Sequence, residues 1–115
     1  MEPSLLEISA VDGGAGSSDA RERHVRVSGE VDMSSAGELA AFLDQAIAGG
    51  AERIVLDTSA VTFLDSTGLR VLVEVGGRLE RARGSLVVDP TGPSVRRILE
   101  MTGLLDRYTA SHREP

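Results

Sequence analysis

Cysteine and lysine are both missing from this 115-residue chain, and aromatic residues make up only 3% of it. Without cysteine there can be no disulfide, no thiolate nucleophile and no zinc–thiolate site. Without lysine there is no P-loop lysine, no Schiff base and no lysine general base; all 12 basic residues are arginine. Phe42, Phe63 and Tyr108 are the whole aromatic complement, too few for the stacking platform that single-stranded nucleic acid needs. A cationic surplus is lacking too. The formal net charge of −6 repels phosphate backbones and anionic lipid, so neither nucleic acid nor a membrane is an expected partner. No apolar run approaches the roughly 20 residues that span a bilayer. Met1-Glu2-Pro3-Ser4 has neither the basic nor the apolar part of a secretory leader, so a cytoplasmic location is expected.

What is present suits a globular core of leucine, valine, isoleucine and alanine. Apolar residues are 41% of the chain, and the length suits one domain over residues 1–115. Leu6, Ile8 and Ala10 alternate with Glu7 and Ser9, the period of a half-buried strand. Asp12–Asp19 is a flexible Gly/Ser-rich loop by composition. Val25 and Val27 open a second strand reaching Val31, expected to form an antiparallel hairpin with the first.

A helix follows. Ser35 and Glu38 have capping-box spacing, and Leu39, Phe42, Leu43, Ala46 and Ile47 share one face before Gly49-Gly50 stops it. Arg53–Asp57 reads as a short strand buried on both faces, followed by an apolar loop ending in Phe63 and Leu64. The second helix opens around Ser66, with Leu69, Leu72, Val73, Gly76 and Leu79 on one face. Glu74 and Arg78 form an outer acid-before-base pair. Gly84 ends this helix, Ser85–Asp89 is another strand, and Pro93 begins a third helix carrying Val95, Ile98 and Leu99. Tyr108–Ala110 is a candidate edge strand, and 111–115 a frayed tail. The order predicts an α/β fold: a small mixed sheet, a hairpin then β-α-β units, with helices mainly on one side.

Asp65-Ser66-Thr67-Gly68 falls where the second helix begins. Taken alone, it reads as an N-cap, because Asp, Ser and Thr oxygens accept from unpaired backbone N–H groups there. Asp32, Asp57 and Asp65 all fall at expected strand ends, where they could meet on one rim; capping and solubility account for them better than metal or acid–base chemistry does. No metal site or cofactor is expected.

Three segments together say more. The stretch after the strand, Asp65-Ser66-Thr67-Gly68-Leu69, resembles the phosphorylation-site signature of anti-sigma-factor antagonists, the single-domain STAS family. Val27-Ser28-Gly29-Glu30-Val31-Asp32 is similar to that family's apolar-x-Gly-Glu-apolar-Asp segment, and Pro93–Leu104 to its third helix ending in Gly-Leu. The resemblance covers roughly residues 5 to 110. It implies that Ser66 accepts a phosphoryl group and that Glu30, Asp32, Asp65, Ser66, Thr67, Gly68 and Leu69 contact a partner. That partner is an anti-sigma factor that is also a serine kinase, with a serine phosphatase reversing the modification and the antagonist itself a monomer or weak dimer. Gly68 serves either close approach of the kinase's nucleotide or tight helix packing. Arg70 stands where the family often has a small residue, and the Asp12–Asp19 loop is longer than its usual hairpin. The chain stops soon after Tyr108, where family members often continue into a further helix.

Rival chemistries lack their parts. Serine catalysis needs a base beside the nucleophile, and the two histidines, His24 and His112, belong to a strand and the tail. A phosphate-receiving aspartate domain built on Asp57 needs a late lysine, and none exists. A docking subunit of a lipid-transport or stress-signalling complex keeps the same fold without the switch.

Overall fold

Alternating valines bring the first two strands together. The protein is seen in a computed structural model that describes residues 5–11 and 21–109. β1 (Glu7–Val11) runs antiparallel to β2 (Glu22–Val31), with Ile8 opposite Val27 and Ala10 opposite Val25. The expected hairpin pairing is present; its Asp12–Asp19 connection and the tail 111–115 lie outside the described residues. β3 (Arg53–Leu64) lies parallel to β2, and β4 (Ser85–Val88) lies parallel to β3, so the sheet order is β1-β2-β3-β4.

α1 (Ala36–Ala48) links β2 to β3, and α2 (Ser66–Arg81) links β3 to β4. α3 (Pro93–Thr102) and the short α4 (Leu105–Tyr108) follow. Val25, Val27, Ile54, Leu56, Leu86 and Val88 of the sheet join Leu39, Leu43, Leu72, Leu79, Val95 and Leu99 of the helices in one buried cluster. Fully burying each such side chain contributes about 1.5–3 kcal/mol, which is what seats the helices on the sheet. No helix among the described residues is long and apolar enough to cross a membrane.

β3 departs from the sequence reading. It does not stop at Asp57 but runs on through the segment expected to be a loop, as far as Leu64. Its register against β2 slips between Arg26 and Ser28 and again between Gly29 and Glu30, each time inserting one extra β3 residue. Such bulges break the two-residue period by which a strand is recognised. Nor is the strand equally buried on both faces: Ile54, Leu56 and Thr58 are buried, while Val55 and Asp57 are only partly so.

Beyond Leu56, where β4 ends, the chain entering α3 covers the edge of β3. Thr58 N donates to Pro90 O at 3.0 Å, Gly92 N to Thr58 Oγ1 at 3.2 Å, and Ser94 Oγ to Thr62 O at 2.9 Å. A Cβ at Gly92 would lie 2.4 Å from Thr58 O, so this close approach needs glycine.

Several helix details also differ. α2 buries Gly68, Val71, Leu72, Val75, Gly76 and Leu79, whereas Val73 is exposed and Leu69 only half-buried. Arg78 pairs with Asp44 of α1 rather than with Glu74, because packing α1 beside α2 brings a carboxylate from outside the helix. α1 buries Ala36, Leu39, Leu43 and Ala46, with Phe42 and Ile47 half-buried. The expected edge strand at Tyr108–Ala110 is replaced by α4 and a single parallel bridge from Thr109 to Val88; Ala110 lies outside the described residues.

Candidate functional site

β2 and β3 finish in step. Val31 is the register partner of Leu64, so Asp32 and Asp65 leave the sheet side by side, and Asp65 N donates to Val31 O at 3.2 Å. Asp57 does not join them. It sits inside β3 opposite Arg26, which bonds its carboxylate at 3.4 Å, because β3 extends seven residues past it. The three-aspartate rim is thus a pair. Among the described residues no cluster of three or more His, Cys, Asp or Glu is arranged to hold a metal.

The cap of α2 falls to Asp65. Its Oδ1 accepts from Thr67 N at 2.9 Å and from Gly68 N at 3.1 Å. Ser66 is therefore the first residue inside the helix, exposed, and its Oγ has no hydrogen-bond partner among the described residues. Capping falls to Asp65 alone and leaves the Ser66 hydroxyl unused by the helix start. The capping reading of this tetrapeptide is satisfied without the serine.

Gly68 is buried, and a Cβ there would lie 2.7 Å from Val31 Cγ1 and 2.8 Å from Leu64 Cδ1. Its evident part is tight packing, letting the helix start settle onto the two strand ends. A molecule approaching this rim meets the neighbours of Gly68 rather than Gly68 itself. Thr67 and Leu69 are half-buried, with Leu69 packed against the core.

On the other side of the rim, the expected capping box does not form. Ser35 Oγ turns back, donating to Glu30 O at 2.9 Å and accepting from Asp32 N at 3.0 Å. Asp32 Oδ1 accepts from Ser34 Oγ at 2.7 Å and from Ser34 N at 2.9 Å. Ser35 thus pins the turn between β2 and α1 with its hydroxyl, and Glu38 N donates to the Ser35 carbonyl at 3.0 Å instead. The Ser34 hydroxyl first, then the Ser34 N–H, outweigh desolvation and, with Ser35, hold the Asp32 carboxyl below its ordinary value. Asp32 is ionised at neutral pH. With Glu30 partly exposed next to the last residue of β2, the surface around Ser66 is acidic.

Three exposed apolar residues flank this rim or lie near it. Met33, at the tip of the Asp32–Ser35 turn, is 82% exposed, Phe63 is 48% exposed, and Met101 on α3 is 76% exposed. Phe63, Leu64, Ser94, Arg97, Ile98 and Met101 line a shallow groove of about 330 Å³. Sequence reasoning passed over Met33 and Met101 as surface features. The signal was there: Met33 is an apolar residue inside an otherwise polar turn, and Met101 lies off the Val95–Leu99 face of its helix.

The remaining titratable groups stand apart. His24 bonds Glu22 at 2.8 Å at the far end of β2, and His112 lies outside the described residues. Burial alone would raise Asp57, but the Ser59 hydroxyl and N–H and the Arg26 guanidinium overcome it, and the carboxyl lies below its ordinary value.

Comparison with known proteins points the same way. The family model described as Mlab, STAS domain, matches residues 16–107. The putative anti-sigma factor antagonist BtrV of Bordetella bronchiseptica is 34% identical over 87 residues, 75% of each chain. The anti-sigma F factor antagonist of Paenibacillus polymyxa is 35% identical over 81 residues, 70% of this chain and 69% of that one. Among solved structures, an anti-sigma factor antagonist from Mycobacterium paratuberculosis superposes with a TM-score of 0.72 at 31% identity, over 90% of this chain and 82% of that one.

Proposed function

Because this chain belongs to the STAS-domain family, we propose that it is an anti-sigma-factor antagonist, a binding protein of one domain switched by phosphorylation of Ser66. In its unmodified form it binds an anti-sigma factor that is also a serine kinase, and a sigma factor is released. The kinase then moves the γ-phosphoryl group of ATP to Ser66 Oγ: the bond to ADP breaks, the Oγ–P bond forms, and the hydroxyl proton leaves to the kinase's base. The modified antagonist lets go, and a serine phosphatase resets it.

The observation that carries this reading is the free, exposed Ser66 hydroxyl beside a cap made by Asp65. A helix N-terminus, with about half a positive charge, tolerates a phosphate. A docked partner does not. Phosphorylation adds about −1.5 to −2 charges beside Asp32 and Asp65, on a surface whose apolar contacts would come from Met33 and Phe63. The fold stays intact and the interface is lost.

Incubating the protein with ATP and candidate anti-sigma kinases tests this. Wild type should take up phosphate and Ser66→Ala should not, while Ser66→Asp should fold normally and bind the same kinase at least ~10-fold more weakly, about 1.4 kcal/mol. Equal labelling of wild type and Ser66→Ala would reassign the site. No labelling by any kinase, with binding retained, would move the chain to a pure docking role.

A further inference from the structure

Resting on Ser66 as the acceptor, we infer that Arg70 is the internal counter-ion of the phosphorylated serine, drawn onto the phosphate and so withdrawn from the partner-facing rim. Ser66 and Arg70 are four residues apart in α2 and both are exposed. At that spacing two side chains share one face, with Cβ atoms roughly 5–6 Å apart. Helical side chains lean toward the N-terminus, so the reach of Arg70 lies over the turn that carries Ser66.

Arg70 is also uncommitted. Five other arginines, Arg26, Arg53, Arg78, Arg96 and Arg107, are held in ion pairs, whereas Arg70 has none among the described residues. Glu74, one turn further on, is not paired with it, and base-before-acid is the weaker order on a helix. The other charges around Ser66 are mainly acidic: Asp65 on its own helix, and Glu30 and Asp32 from the end of β2. From another element, Arg97 of α3 lines the groove beside Phe63 and Leu64.

A guanidinium fits a phosphate through two parallel N–H···O bonds. Before modification, Arg70 offers a lone positive charge on an acidic rim to an acidic group of the partner. After modification, that charge is engaged within the chain. Phosphorylation then changes the rim twice, by adding a dianion and by removing a cation.

The test uses protein carrying phosphoserine installed at position 66 during synthesis, so it does not depend on whether any kinase modifies that residue. Phosphorus NMR reads the midpoint of the second phosphate ionisation in the parent, Arg70→Gln, Arg70→Lys and Arg97→Gln. An i,i+4 ion pair of ordinary helix strength moves that midpoint by about 0.2–0.4 of a pH unit. Arg70→Gln should raise it by about that much, Arg70→Lys by less, and Arg97→Gln by no more than about 0.1. A titration of Arg70→Gln superimposed on the parent would overturn the inference, as would an equal shift in Arg97→Gln. Absence of kinase labelling in the earlier experiment would instead remove the biological setting and leave this measurement standing.

Discussion

Replacing Asp65 by alanine separates the fold of this site from its proposed chemistry. The substitution removes an Oδ1 that accepts from two backbone donors, Thr67 N at 2.9 Å and Gly68 N at 3.1 Å. Loss of an N-cap of this type costs about 1 kcal/mol. The carboxylate's favourable interaction with the helix dipole adds about 0.3–1 kcal/mol, so the total is about 1–2 kcal/mol. Asparagine at the same position keeps the acceptor and loses the charge, and should cost only the dipole share. Ser66→Ala removes an exposed hydroxyl with no partner among the described residues and should stay within about 0.5 kcal/mol of wild type. Urea unfolding with a common m value ranks the three variants. In a thermal melt the alanine variant at 65 should lose about 4–10 °C. If Ser66→Ala destabilised as much as Asp65→Ala, the serine would be part of the cap, and the division of labour between the two side chains would be wrong.

Two further outcomes follow from buried and hydrogen-bonded groups. Tyr108 is fully buried, burial pushes its phenol above the ordinary value, and its hydroxyl has no hydrogen-bond partner among the described residues; Tyr108→Phe should therefore raise stability by about 1 kcal/mol, and a lower urea midpoint would contradict this. Asp57 has a folded-state carboxyl below its ordinary 3.8, so its contribution to stability is present above about pH 4 and is lost as pH falls through the lower folded value. The stability gap between wild type and Asp57→Asn should accordingly narrow as pH falls below about 4; urea midpoints that stay parallel below that pH would show that the carboxylate is not the source.

Much of the architecture was legible locally. Proline at the first position of α3, glycine at Gly103 in the left-handed conformation after it, and alternating valines in β2 each act over a few residues, so their meaning survives without the fold. Ser66, the proposed acceptor, was placed at the start of α2 for another reason: it stands in a short segment whose neighbours in the chain are also its neighbours in space. Met33 and Met101 left only a hint, as apolar residues off any buried face, and their exposure could not be read from it. An exposed apolar side chain is defined by what fails to cover it, and that is settled by distant parts of the chain.

The order of strands and helices as far as α3, the rejection of thiol and lysine chemistry, and the place of Ser66 at a helix start were all determined by the sequence itself, through periodicity, local capping and composition. Tertiary structure decided the rest. It carried β3 through two bulges to Leu64, set Asp32 beside Asp65 and kept Asp57 away, and gave Arg78 to Asp44. Each of these depends on which strand or helix lies alongside, and contacts between residues about 30 apart leave no mark in a local pattern. Burial of Gly68 under Val31 and Leu64 is the same kind of fact, and it is what brings the helix start, with its free hydroxyl, to the ends of the strands.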